Sequence, residues 1–336
     1  MKEVNYGVLG LGFTGRIHAL NLLKTPGARI VAVADPDLSQ YALLEEEVAS
    51  QNEPKRMESL RAVQRFETPE ALLRSAAIEA LVVCLPTHLH EEWVCRALEK
   101  GLHVLCEKPI ALDCIAADRM VDAAHKTGRC FMVAHCVRFW PEYIHLRHLV
   151  AEGRLGPLRS LNMWRLSGAP AWSSNQWILD TSLSGGPIVD LHIHDVDFAL
   201  FLLGEPQGIQ AAGRSSLGSK TPDIVHTIFE YERGPQVHLH AGWSRAPVPF
   251  RAGFEAWFEN GFVRFSSGSD PSLEQYESGR EGSLPVDIPA LDAYQEELMY
   301  FTGSVLTHSE PMICTPQSSR ESLAIVLKIM NKVRGK

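Results

Sequence analysis

The spacing of apolar and polar positions divides the chain into two parts of different character. From Val4 to Ala134, short apolar runs alternate with helical stretches. The runs are Val4 to Leu9, Arg29 to Ala34, Ala80 to Leu85, Leu102 to Cys106 and Cys130 to Ala134. Several are unbroken, as expected of parallel strands covered on both faces. Between them, Ile17, Leu20 and Leu23 mark one side of a helix, and Gln40 to Val48 reads as another. Ser50 to Glu58 is polar and reads as a loop, with a short strand over Ala62 to Phe66. Thr68-Pro69-Glu70 is a helix start, with Thr as N-cap and Pro in the first turn. Two further helices end near Lys100-Gly101 and Lys126-Gly128. This βαβα alternation predicts a doubly wound parallel sheet over residues 1–134.

After Ala134 the pattern changes. A helix is expected up to about Glu152, ended by Gly153, then a strand over Leu158 to Leu166. Trp172 and Trp177 fall in a loop rich in Ser and Asn. Gly185-Gly186-Pro187 opens a helix expected to run unbroken through Asp190, His192, His194, Asp195 and Asp197 to Leu203. From Gly208 to Val286 the signals are strands and hairpin turns, Glu232-Arg233-Gly234 and Glu259-Asn260-Gly261 among them. Two helices follow, near Leu291 to Leu306 and Ser318 to Val333. Residues 135–336 therefore read as a second, α+β domain with a mainly antiparallel sheet.

The first run ends in Gly10-Leu11-Gly12-Phe13-Thr14-Gly15, and Asp35 stands after the second run. Strand, glycine turn, helix, strand and acid in this order are the parts of a dinucleotide seat. Gly10 permits the tight turn, Gly12 lets backbone approach a pyrophosphate, and Gly15 lets helix and strand pack closely. The helix N-terminus offers N–H groups to the phosphates, and Asp35 can accept from ribose hydroxyls. Asp37 is nearby and no Arg or Lys is adjacent. A 2′-phosphate would meet two carboxylates there, so NAD is preferred over NADP. Ligands of such sheets sit beyond the carboxyl ends of the strands. Gly10, Asp35, Pro86 to His90 and Glu107-Lys108 all map to those ends.

Bulk properties narrow the classes. The 336 residues suffice for two domains, and a net charge of -8 argues against nucleic acid or an anionic membrane as main partner. No apolar run approaches spanning length, and Met1-Lys2-Glu3 leads straight into a strand with no expected signal peptide. Seven scattered cysteines without a C-x-x-C pair suggest reduced thiols and a cytoplasmic protein.

The candidate chemistry lies in Asp190, His194 and Lys108. On a continuous helix Asp190 and His194 would share one face, with Asp197 a turn further. A His beside a carboxylate suits general base catalysis, and a cation near the substrate oxygen stabilises alkoxide-like charge. Lys108 follows a buried strand and precedes Pro109, so it could be that cation or relay the proton. Helix histidines satisfied by neighbours are the plain alternative. A metal held by His192 and His194 is the other, although H-x-H on a helix directs two rings about 200° apart, so no metal is assigned.

Taken together, the Gly10-x-Gly12-x-x-Gly15 turn, Asp35, Pro86-Thr87-His88-Leu89-His90, Glu107-Lys108-Pro109 and Gly185-Gly186-x-x-x-Asp190-x-x-x-His194-Asp195 resemble the glucose-fructose oxidoreductase/inositol dehydrogenase (Gfo/Idh/MocA) family. Arg138-Phe139 and the Gly153-x-x-Gly156 turn match it too. The resemblance implies an N-terminal Rossmann domain and a C-terminal α+β domain with an open sheet. It also implies that the last helix, about 318–333, packs back on the Rossmann domain, and a homodimer or homotetramer built through the open sheet. It implies an NAD-dependent oxidoreductase acting on a hydroxyl or keto carbon of a sugar, cyclitol or related small molecule. Lys108, Asp190 and His194 then take the catalytic positions. Gly10, Gly12, Phe13, Thr14, Gly15, Asp35, Leu85, Pro86, Thr87, His90, Glu107 and Lys108 face the cofactor. Arg138, Trp140 and Trp177, with Asp190 and His194, face the substrate. His192, where a small residue is common, and His135-Cys136, where many relatives have Asn nearby, depart from the pattern and leave the pocket open. A non-catalytic NAD-binding sensor on this fold and an NAD-assisted glycoside hydrolase are the rivals.

Overall fold

The computed structural model describes residues 2–74, 77–170, 173–218 and 221–334, without the side chains of Ser174 and Asn175. The chain forms two compact units. The first comprises the residues up to Cys136 together with Asp292–Arg320, and the second Val137–Leu291 with the residues from Glu321 on. This division differs from a single boundary at 134/135, because a late helix belongs to the first unit.

The first unit is built on a six-stranded parallel sheet. Its strands are β1 (Val4–Leu9), β2 (Ala28–Ala34), β3 (Gln64–Phe66), β4 (Ala80–Val83), β5 (His103–Glu107) and β6 (Phe131–Ala134), in the order β3-β2-β1-β4-β5-β6. The direction of winding reverses between β1 and β4, which pair directly. All four residues of β4 are fully buried, and each such Val or Leu contributes roughly 1.5–3 kcal/mol by leaving water. The crossover helices are α1 (Phe13–Leu22), α2 (Ser39–Ser50), α3 (Pro54–Arg61), α4 (Pro69–Leu73), α5 (His90–Glu99) and α6 (Cys114–Thr127). Thr68 caps α4 by accepting the Ala71 N–H, as its sequence predicts. The expected loop at 50–58 instead contains α3. Pro54 in its first turn presets the backbone and Leu60 is its buried anchor; a single apolar contact leaves little periodicity to read. Then α11 (Ala293–Thr307) lies against β1, where the Tyr6 hydroxyl meets Thr302 Oγ1 at 2.7 Å.

The second unit has a seven-stranded sheet. Its strands are β7 (Leu158–Gly168), β8 (Gly208–Arg214), β9 (Ile224–Glu230), β10 (Gln236–Ser244), β11 (Arg251–Phe258), β12 (Gly261–Ser266) and β13 (Leu273–Glu277), in the order β13-β12-β11-β7-β10-β9-β8. All neighbours are antiparallel except β7 and β10. Burial alternates along β9 and β10, so one face is covered and the other open. The covered face packs on α7 (Pro141–Glu152) and α10 (Ile193–Leu203) through Tyr143, whose ring meets Phe198 at 4.8 Å and Phe254 at 5.2 Å. The short helices α8 (Thr181–Ser184) and α9 (Gly186–Asp190) precede α10. The last helix, α12 (Pro316–Arg334), begins in the first unit, where Arg320 pairs with Asp118, and from Glu321 belongs to the second. Among the described residues no helix is long and apolar enough to cross a membrane.

Candidate active site

The glycine turn shows three different reasons for glycine. Gly10 has φ +83°, and a Cβ there would stand 2.5 Å from the Cys84 carbonyl oxygen at the end of β4. A Cβ on Gly15 would stand 1.9 Å from the Gly10 carbonyl oxygen. Both contacts are with backbone, which cannot swing aside. At Gly12 a Cβ would meet nothing within 4 Å. The space beside Gly12 is open, and α1 starts there with no side-chain cap. A helix N-terminus left so is an anion seat. Asp35 Oδ2 accepts the Leu11 N–H at 2.7 Å and its Oδ1 the Asp37 N–H at 2.8 Å. Each carboxylate oxygen keeps a further lone pair for a ribose hydroxyl. Hydrogen bonds from Ser39 and Gln40 hold the Asp37 carboxyl, two residues after Asp35, below its usual range. These residues fit a dinucleotide without a 2′-phosphate. Phe13 is exposed, Thr14, Leu85 and Pro86 are partly so, and Thr87 is buried.

Two residues expected against the cofactor are buried and hydrogen-bonded within the protein. His90 is buried, with Nδ1 2.9 Å from the Pro109 carbonyl oxygen and Nε2 2.8 Å from that of Leu85. Burial outweighs those bonds and pushes its pKa down. It ties the loop after β4 to the loop after β5. Glu107 is buried as well. Its Oε1 is 2.7 Å from His18 Nε2 and its Oε2 accepts the Lys108 N–H at 3.1 Å. Lys108 itself is half-exposed, and its peptide bond to Pro109 is cis.

In the second unit, the expected single helix is broken. Here α9 ends at Asp190, Leu191 and His192 form a turn, and α10 starts at Ile193. The His192 N–H reaches back to the Pro187 carbonyl at 2.8 Å, five residues earlier, which ends the regular ladder. Asp190 and His194 therefore do not share one continuous helix face, and one helical period does not set the angle between the His192 and His194 rings. The segment instead sorts its polar residues by burial. His192 is fully buried, with Nε2 2.9 Å from Thr227 Oγ1, and burial drives its pKa down to about 3. Asp195 is buried 3.0 Å from the Arg165 guanidinium. Asp197 receives the Arg138 fork at 2.8 and 2.6 Å, and the Ser322 hydroxyl at 2.7 Å. These three turn to three different partners. Asp190 and His194 are half-exposed among them.

Arg138 is buried and its guanidinium is engaged by Asp197, so it ties α10 to the segment before α7. Trp140 precedes α7 and sets its ring edge-on to Tyr143 and Phe265 at 5.7 and 6.1 Å. Trp177 sits half-exposed in a 3₁₀ turn over Ser174–Leu179. Trp172 lies outside the described residues. His18, Arg165 and Tyr294 carry no local sequence signal. Their partners are far away along the chain, and no spacing rule links His18 to Glu107.

A parallel sheet with its switch beside an uncapped, glycine-led helix defines a dinucleotide-binding protein with an appended α+β unit. The chain belongs to the GFO/IDH/MocA family. The family's "Oxidoreductase family, NAD-binding Rossmann fold" matches residues 4–135, and its C-terminal domain matches residues 143–264. NAD is thus the cofactor of the Rossmann domain over residues 4–135. The chain is similar to 2,7-anhydro-N-acetylneuraminate hydratase of Escherichia coli, 32% identical over 71% of this chain and 62% of that protein, so it spans less than two thirds of that relative's length. Inositol 2-dehydrogenase of Corynebacterium glutamicum is 28% identical over 83% of this chain and 77% of its own. Among solved structures, UDP-N-acetylglucosamine 3-dehydrogenase of Acidithiobacillus ferrooxidans superposes with a TM-score of 0.79, at 25% identity, over 100% of this chain and 99% of that one.

Proposed function

We propose that the protein is an NAD-dependent dehydrogenase acting on a secondary hydroxyl of a sugar, cyclitol or related molecule. The observation that carries this reading is the sorting of polar residues. Glu107, His192, Asp195 and Asp197 are buried and bonded inward, while Lys108, Asp190 and His194 keep solvent access at the ends of their elements. Purely structural groups would be expected to follow their neighbours inward. In the proposed reaction His194 takes the hydroxyl proton and Asp190 orients and charge-balances the ring. Lys108 stabilises the negative charge that develops on the oxygen. Bound NAD supplies the hydride acceptor. NAD is preferred over NADP because Asp35 and Asp37 would both repel a 2′-phosphate. The test is a panel of inositols, hexoses and glycosides followed by NADH absorbance, with NAD and NADP side by side. Turnover with NAD on at least one polyol is expected. Tight NAD binding with no turnover across the panel would instead favour a sensor.

A second reading rests on the hydratase relative. There the net reaction adds water, and NAD would be regenerated within each cycle. Product formed without NADH accumulation, from an anhydro sugar or a glycoside, would select it. With either reading go a cytoplasmic location, supported by seven cysteines outside any disulfide, and a homodimer or homotetramer through the open sheet. Trp257 is half-exposed on that face, 4.5 Å from the Phe262 ring. Light scattering would test the assembly: a monomer at micromolar concentration would end that part.

A further inference from the structure

Two buried histidines hold the Glu107-Lys108-Pro109 tripeptide, one on each side, and the proposed reaction uses neither. On the far side, His90 reaches the Pro109 carbonyl. On the near side, His18 stands on α1, three residues after Gly15, with no exposed surface. His18 Nε2 bonds Glu107 Oε1, and Glu107 Oε2 accepts the backbone N–H of Lys108. A chain of two hydrogen bonds therefore runs from the glycine-turn helix to the lysine's own peptide.

This is a costly way to fill a core. His18 Nδ1 has no hydrogen-bond partner among the described residues, and an unsatisfied buried polar atom destabilises. A leucine would occupy the space without that cost. Burial also works against a charged Glu107. The hydrogen bond from His18 and the charge of Lys108 outweigh it and hold the carboxyl below its usual range. Glu107 is therefore a carboxylate, able to accept from both sides. The Tyr294 and His18 ring centroids lie 5.7 Å apart at 88°, a perpendicular packing that fixes the imidazole plane. The whole arrangement sits where β5 ends and Lys108 begins.

The geometry points to His18 as a positioning residue: through Glu107 it locks the backbone of Lys108 to the helix that seats the cofactor, so that lysine and cofactor seat are placed as one unit. The inference rests on the reading that puts Lys108 beside the nicotinamide, and the experiment separates the two.

Reductive methylation with formaldehyde and a borane, read by peptide mass spectrometry, follows Lys108 without any substrate. Exposed Lys126 on α6 is the internal reference. Saturating NADH should slow methylation of wild-type Lys108, relative to Lys126, by about fivefold or more, the lower end for coupling between two sites. In His18→Leu that protection should fall below about twofold while NADH affinity, measured by fluorescence, changes less than about threefold. His18→Gln, which keeps an N–H donor near the place of Nε2, should restore it. Full protection in His18→Leu overturns the positioning role, whatever happens to its melting temperature. No protection by NADH in the wild type overturns the placement of Lys108, and this inference with it. Should His18→Leu not fold, Glu107→Gln decides: it keeps the shape and loses the charge, so lost protection supports the link and full protection overturns it.

Discussion

The turn at Gly10–Gly15 and the segment Gly185–Asp197 both lead from glycines into a helix, and they work by opposite means. In the first, backbone does the task. Side chains are excluded at Gly10 and Gly15 by carbonyl oxygens, and Gly12 leaves an open face before an uncapped helix. In the second, the backbone is only a sorter. A break after Asp190 leaves Asp190 and His194 half-exposed and buries His192, Asp195 and Asp197 against Thr227, Arg165 and Arg138. Substitutions in the turn should act by steric exclusion. Substitutions in the segment should cost either chemistry or stability, depending on which side of the sorting they hit.

The sharpest way to break this contrast is to truncate the exposed class. His194→Ala and Lys108→Ala should each lower kcat by about 10²–10⁴, the range for lost acid–base catalysis, with NADH binding and melting temperature nearly unchanged. Full activity of both on the best substrate of the panel would refute the assignment. The buried class should behave in reverse. Arg138→Ala takes the guanidinium fork away from the buried Asp197 carboxylate, which keeps its bond from the Ser322 hydroxyl. It should cost about 3–5 kcal/mol in urea unfolding, as for other broken buried pairs. A loss below about 1 kcal/mol would show that water reaches Asp197 readily.

The turn gives a smaller effect with an internal control. Gly15→Ala forces backbone apart and should destabilise by about 1–3 kcal/mol as well as weaken NAD binding. Gly12→Ala meets open space, so its stability should stay within about 0.5 kcal/mol while NAD affinity falls. Calorimetry on the free protein and titration with NADH separate the two. Equal destabilisation by both would mean that the turn is strained throughout and the space at Gly12 is not kept for a ligand.

Much of the fold was legible because its signals are local. Strand β4 is an unbroken apolar run, Thr68 announces a helix, and the glycine spacing places the cofactor seat. What escaped needs knowledge from a distance or a subtle local choice. Helix α3 has Leu60 as its one buried residue, too few for a period to show. The break at Leu191–His192 lies in a stretch whose apolar spacing suits a continuous helix, and the bond from His192 to Pro187 decides otherwise. The resemblance places Arg138 toward the substrate; its pairing with Asp197, 59 positions away, is announced by no local pattern. The resemblance places Glu107 toward the cofactor, and nothing local reports that His18 holds its carboxylate.

The smallest effect concerns His192, which the sorting places inside. Its folded pKa of about 3 lies below the 6.5 of an ordinary imidazole, because burial disfavours the charged ring. Between these values the unfolded chain binds a proton that the folded chain does not. Stability from this residue is thus fully present above 6.5 and is lost as the pH falls toward 3. One such group should remove about 1 kcal/mol between pH 7 and pH 5.5, from the linkage slope. His192→Gln keeps a polar partner for Thr227 and does not titrate, so its stability should fall less over the same interval. Asp195, raised by burial, works in the opposite direction nearer its own pKa, but it is common to both proteins and cancels in the difference. Urea unfolding of the pair at the two pH values gives that difference directly. Identical slopes would mean that His192 takes up its proton in the folded state, and the division between buried and half-exposed polar residues would no longer hold at this position.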